Sequence, residues 1–158
     1  MQLEAKKQAL RSLTHGVYVI GVREGEKLNA FTATWLTQVS FEPPLVVAGI
    51  RKDSVSFRMI KASRVFTVSI LSSGQKLLAQ HFLKPAHLGG DKLQGIGHQT
   101  GKTGAPILDE AMAYLECRVK EIVPAGDHSL VLAEVVEAGV RQPADPLTLR
   151  ETGWHYGG

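Results

Sequence analysis

GVYVIGVREGEKLNAFTATW, residues 16–35, decides how the rest of the chain is read. GVYVIGVR (16–23) is apolar and β-branched, EGEK is a charged turn, and LNAFTATW (28–35) resumes as a strand, so the segment predicts a hairpin. Upstream, Leu3, Leu10 and Leu13 share roughly one helical face, which predicts a short leading helix that ends at Gly16. Downstream, PLVVAGIR (44–51), opened by Pro43 and Pro44, is a nearly continuous apolar run of the kind expected for a strand buried on both faces. DSVSFRMIKA (53–62) has an Asp or Ser cap and places Val55, Met59 and Ile60 near one face, so it predicts a helix. VFTVSIL (65–71) predicts a strand and SSGQKLLAQHF (72–82) a second capped helix.

Residues 84–106 contain six glycines and few large apolar side chains, which predicts a long loop. AMAYLECRVKEIV (111–123) alternates. Ala113, Leu115, Cys117 and Val119 fall on one side, and Tyr114, Glu116, Arg118 and Lys120 on the other, the pattern of a half-exposed antiparallel strand. SLVLAEVVEAGV (129–140), after the turn AGD, predicts another strand, and PLTLRE (146–151) a last one. Sequential strands with short turns and only three helices predict a mainly β protein, an antiparallel barrel rather than a doubly wound sheet.

The composition bounds the function. A chain of 158 residues, 44% hydrophobic and 21% charged, suffices for a single domain spanning 1–158 with a core that needs no disulfide. Cys117 is the single cysteine, so no intrachain disulfide and no CxxC pair exists, and a cytoplasmic location is expected. The N-terminal stretch has neither the signal-peptide nor the membrane-span pattern. A net charge of +3 suits phosphate-bearing ligands, but the basic residues are scattered, which argues against nucleic acid.

Familiar catalytic signatures are absent. GHQTGKTG (97–104) resembles a phosphate loop, but the pattern requires Gly at position 96, where Ile96 stands. No GxGxxG follows a strand, and no GxSxG or HExxH occurs. His81, His87 and His98 read as ordinary histidines rather than metal ligands, and Cys117 as a small core residue. What remains is residues 29–57. Asp53, Ser54 and Ser56 open a helix just after Arg51 and Lys52, an arrangement that serves either as a phosphate site or as plain capping beside solvated cations. The small residues of FTATW let a planar ligand approach backbone amides, while Gln38 and Ser40 can bond ring heteroatoms.

HGVYVIGV, NAFTATWLTQVSFEPPLVVAGI, RKDSVSFRMI, FTVSILSSGQKLLAQHF, DKLQGI, GAPIL, AYLECRV, GDHSLVLAEV and the terminal WHYGG stand in an order and spacing that resemble the flavin reductase-like FMN-binding family over nearly the full length. ATWLTQVSFEPP resembles in particular the reductase module of diflavin flavoproteins. The resemblance implies a Greek-key antiparallel split β-barrel, a homodimer, and one FMN per subunit across the interface, with FAD as the alternative flavin. It further implies that Thr32, Ala33, Thr34, Trp35 and Ser40 hold the isoalloxazine and ribityl groups, with Gln38 as a further polar contact. Arg51, Lys52, Ser54 and Ser56 would hold the phosphate, His128 would lie by the flavin or nicotinamide ring as the catalytic residue, and Tyr156 would be a neighbour.

Many members of the family carry a small serine where this chain has Trp35. An indole aimed at the flavin would narrow the room for a nicotinamide, whereas one aimed at the core would leave it open. The implied activity is an NAD(P)H-dependent flavin reductase, in which hydride passes to the flavin and electrons go on to a monooxygenase or another partner. An FMN electron carrier reduced by a partner protein is the alternative, and a non-catalytic barrel holding haem or a nucleotide a third reading.

Overall fold

A computed structural model of the chain describes residues 1–85 and 91–158. After helix α1 (Leu3–Arg11), strands β1 (Tyr18–Glu24) and β2 (Lys27–Ala33) form the expected hairpin, with Gly21 opposite Ala30. Gly25 turns the chain at a φ of 60°, a left-handed conformation that suits glycine. The chain continues through β3 (Leu36–Ser40), β4 (Leu45–Arg51), α2 (Val55–Ser63), β5 (Val65–Ile70) and α3 (Lys76–His81). It ends with β6 (His98–Thr100), β7 (Pro106–Leu108), β8 (Ala113–Ala125), β9 (His128–Val140) and α4 (Leu149–Thr152).

Seven strands make one antiparallel sheet in the order β2-β1-β5-β8-β9-β4-β3, and β6 pairs with β7 apart from it. The sequence β4, β5, β8, β9 lies in space as β4-β9-β8-β5, which is the Greek-key arrangement. The sheet ends at β2 and β3 without closing, as a split barrel requires. Alternation along β1 sends Ile20 and Val22 into a core with Phe57, Ile60, Phe66 and Val131, and Val19, with Val17 just before the strand, into a second one with Leu71, Phe82 and Leu147. Gly21 lies between them under β7, where a Cβ would collide with the Pro106 carbonyl and the Thr67 hydroxyl.

Several expectations are corrected. The strand β3 was not anticipated, because an edge strand with the polar sequence LTQVS carries no apolar alternation. Burial alternates along β4 instead of covering both faces: Val46, Ala48 and Ile50 are buried, while Leu45, Val47 and Gly49 are half-buried. PLTLRE is no strand: Pro146 and Thr148 make isolated bridges to Ser72 and Gly16, after which the Thr148 hydroxyl caps α4. There are thus four helices among the described residues, not three. The helix α3 starts only at Lys76, and no side chain caps it. Of the two caps expected for α2, Asp or Ser, the chain uses Ser54, which accepts from the Phe57 amide.

The loop expected over 84–106 contains β6 and β7, and part of it, with His87, lies outside the described residues. A register shift between Glu116 and Cys117 turns Glu116 inward, so it is 2% exposed and not on a solvated face. The helix α1 ends at Arg11 rather than Gly16, and Leu3 and Leu10 on it, like Leu13 just beyond it, are exposed. Cys117 sits in the core, where burial pushes its thiol up to about 12. Among the described residues, no helix is long and apolar enough to cross a membrane, and no cluster of His, Cys, Asp or Glu could hold a metal.

Candidate functional site

A cleft of about 760 Å³ opens where β2 ends, β4 ends and the C-terminal tail returns. Its size is that of a small-molecule site. Thr32, Ala33, Thr34 and Trp35 form one wall as the chain passes from β2 to β3. Thr32 is committed to structure: its amide donates to the Phe82 carbonyl at 3.2 Å and its hydroxyl to the Ala79 carbonyl at 2.6 Å. Thr34 is different. Its hydroxyl oxygen is buried and has no hydrogen-bond partner among the described residues, a condition that costs free energy.

The second wall is the end of β4 and the start of α2. Arg51 forms a two-point pair with Asp53, Nε to Oδ1 and Nη2 to Oδ2 at 3.1 Å each, and the guanidinium holds the Asp53 carboxyl below its usual range. Both side chains are more than half exposed, so the pair is well screened. Buried Asn29 donates from Nδ2 to the Ser56 hydroxyl at 3.2 Å, which fixes Ser56 at the cleft wall. Facing this wall is Lys92, which is 4% exposed and donates to the Lys84 carbonyl at 2.8 Å. No carboxylate lies within 4 Å of it among the described residues, and burial pushes its amine down to about 8.

The third wall is the tail, where Trp154, His155 and Tyr156 line the cleft. Trp35 packs its ring 4.5 Å from the His128 imidazole and 4.9 Å from the Tyr156 ring, centroid to centroid. A Cβ at Gly49 would approach the indole to 3.3 Å, so the smallness of Gly49 leaves room for the ring beside β4. His128 does not line the cleft; its side chain is 10% exposed and covered by Trp35 and Tyr156, which do. The Nδ1 atom is 2.6 Å from Asp127 Oδ1 and Nε2 is 2.8 Å from the Tyr156 hydroxyl.

Of the residues singled out in the sequence, Thr32, Ala33, Thr34, Trp35, Arg51, Ser54, Ser56 and Tyr156 come together around this cleft. Lys52 is exposed outside it, Ser40 lies half-buried at the end of β3, and Gln38 is exposed with its amide donating to the Ser40 carbonyl at 3.1 Å. The sequence reading missed Asn29 and Lys92. Asn29 stands inside a strand pattern and Lys92 inside a glycine-rich stretch, and only the short DKLQGI motif marked the latter.

Known proteins match this chain over most of its length. A family model described as flavin reductase like domain matches residues 10–157. The 4-hydroxyphenylacetate 3-monooxygenase reductase component of Thermus thermophilus is 32% identical over 151 residues, covering 96% of this chain and 94% of its own. Diflavin flavoprotein A 1 of Synechocystis sp. is 34% identical over 154 residues, covering 95% of this chain but 27% of its own. The chain therefore spans about a quarter of the length of the diflavin relatives it matches. Among solved structures, the NADH:FAD oxidoreductase of Streptomyces globisporus superposes with a TM-score of 0.81 at 32% identity, over 89% of this chain and 84% of its own.

Proposed function

Because the chain belongs to the flavin reductase-like domain family, we propose that it holds FMN in this cleft and acts as an NAD(P)H-dependent flavin reductase. The observation that carries the reading is a cleft that contains, among the described residues, a buried hydroxyl without a partner, Thr34, and a buried lysine without a carboxylate, Lys92. One is an unmet polar atom on the wall beside the indole, the other an uncompensated cation suited to a phosphate. The residues present fit a flavin mononucleotide. Residues 32–35 supply small side chains and a flat indole, and Arg51, Lys92, Ser54 and Ser56 supply cations and hydroxyls for the phosphate. FAD remains the alternative flavin, since the Streptomyces neighbour is named for it.

When bound, the flavin supplies the hydride-accepting ring and releases electrons to an acceptor. The protein's own part is binding and exclusion of water. Asn29 holds Ser56 in place, Trp35 and Tyr156 close the cleft over His128, and Arg51 can exchange Asp53 for a phosphate. In this reading the chain pairs with a second copy through the open β3 edge, where Val39 and Phe41 are 50% and 91% exposed. A monooxygenase or other redox protein takes the electrons, as the name of the Thermus relative suggests. The cytoplasm suits a chain whose one cysteine is buried as a thiol.

Anaerobic mixing of FMN-loaded protein with NADH or NADPH tests the activity, and bleaching of the flavin absorbance is the expected result. The second reading, an electron carrier, is favoured by the cover that Trp35 places over His128. It takes over if neither nucleotide bleaches the flavin and a reduced partner protein does.

A further inference from the structure

The Asp127 carboxylate, the His128 ring and the Tyr156 phenol form an unbroken hydrogen-bonded chain that runs from solvent to the cleft wall. Asp127 Oδ1 and His128 Nδ1 are 2.6 Å apart. Two acceptors cannot approach so closely, so a proton lies between them, and it belongs to Nδ1 because the His128 ring holds the Asp127 carboxyl in its ionised form, below the usual range. In the neutral imidazole only one nitrogen is protonated, which leaves Nε2 as an acceptor. At 2.8 Å from that nitrogen stands the Tyr156 hydroxyl. It has one proton to give, and Nε2 takes it.

We propose that Asp127 is a positioning residue for the cleft: by fixing the His128 tautomer it directs the Tyr156 proton inward, so that the Tyr156 oxygen meets a ligand only as an acceptor. The polarity of this wall is then set three residues deep, by a carboxylate that never touches the ligand. A ligand atom beside Tyr156 has to be a donor, an N–H or O–H. Without Asp127 the imidazole can protonate Nε2 instead; that nitrogen then donates to Tyr156, and the phenol proton turns toward the cleft. The Trp35 ring, packed on both His128 and Tyr156, keeps the chain from swinging apart. Arg51 also stands near Asp127, but its guanidinium is engaged by Asp53.

The inference rests on the flavin reading only for the identity of the ligand, and the experiment separates the two. The protein is labelled with 15N in its histidine rings, with His128 assigned by H128Q, and is studied at about pH 8, above the ordinary histidine range. The expected spectrum shows Nδ1 protonated and Nε2 bare in the wild type and in Y156F, and a shift toward protonated Nε2 in D127A. Asp127 is exposed in a turn, so D127A folds; FMN titrated into it by fluorescence binds about three- to tenfold more weakly, the worth of one neutral hydrogen bond. Protonated Nε2 in the wild type, an unchanged tautomer in D127A, or a changed tautomer with unchanged FMN affinity each overturns the proposal. A wild-type protein that shows the expected tautomer but binds no FMN supports the role of Asp127 and overturns the flavin reading.

Discussion

The rings of Trp35 and His128 lie 4.5 Å apart at an angle of 38°, with Trp35 on the cleft side and His128 behind it. The sequence left two orientations open for this indole, toward the ligand or into the core. It takes neither extreme, since it is absent from both apolar clusters yet packs beside Gly49 and edge-on to Tyr156. Trp35 is a partition between the cleft and the histidine.

A partition can be removed. W35S opens His128 to the cleft and should lower the KM for NADH or NADPH by about tenfold, the equivalent of about 1.4 kcal/mol, while weakening FMN through loss of the aromatic wall. Stopped-flow reduction of FMN-loaded W35S against the wild type measures it. An unchanged or higher KM would show that Trp35 does not stand in the way of the nucleotide.

Lys92 couples stability to binding with opposite signs. Its folded-state pKa of about 8 lies below the unfolded value, so keeping it charged costs stability, fully below pH 8 and not at all above the unfolded pKa. Stability from this group therefore rises as pH increases from about 8 to about 10.5. K92M should stabilise the flavin-free protein by about 1–3 kcal/mol and abolish that rise. The same variant should bind FMN about 10- to 100-fold more weakly, as expected for a lost charge-assisted hydrogen bond, and leave riboflavin affinity alone. FMN affinity of the wild type should also decline above pH 8, with riboflavin affinity flat. Urea titrations and paired FMN and riboflavin titrations across pH check each sign.

Glu116 shows where the pattern of the sequence stopped being a guide. The hairpin over 16–35 and the alternation of β8 were legible because each strand has one face in the core and one outside it. At the register shift after Glu116 that rule fails locally, and the carboxylate turns inward to accept from the Lys102 and Thr103 amides and the Thr103 hydroxyl. The GKT stretch, which only looked like a phosphate loop, thus has an anion bound to its amides, supplied by the chain itself. Half of the cleft was readable from residues 32–56, where small and hydroxylated side chains cluster. Lys92 was not, because its character comes from burial by distant residues. Nor was Trp35, whose place depends on Gly49 across a strand pair.

E116A should therefore destabilise the fold by about 2–4 kcal/mol, since it leaves several buried donors unmet. E116Q, which retains an accepting oxygen, should cost less than half of that. Hydrogen exchange at the Lys102 and Thr103 amides should speed up in both, more in E116A. Glu116 does not line the cleft, so FMN affinity should stay at the wild-type value.

Thr34 provides the cleanest separation of folding from function. Its hydroxyl is buried without a partner, and valine has nearly the same shape without the polar atom. In the flavin-free protein T34V removes a group that pays a desolvation cost and gets nothing in return, so it should raise stability by about 1–2 kcal/mol. With FMN present the order should reverse, because the wild type gains the missing hydrogen bond and the variant has none to form. The melting temperatures of the two proteins should thus cross as FMN is added, the wild type lower without flavin and higher with it. If T34V is less stable in both conditions, the hydroxyl has a partner within the fold; if it is more stable in both, the ligand does not meet Thr34.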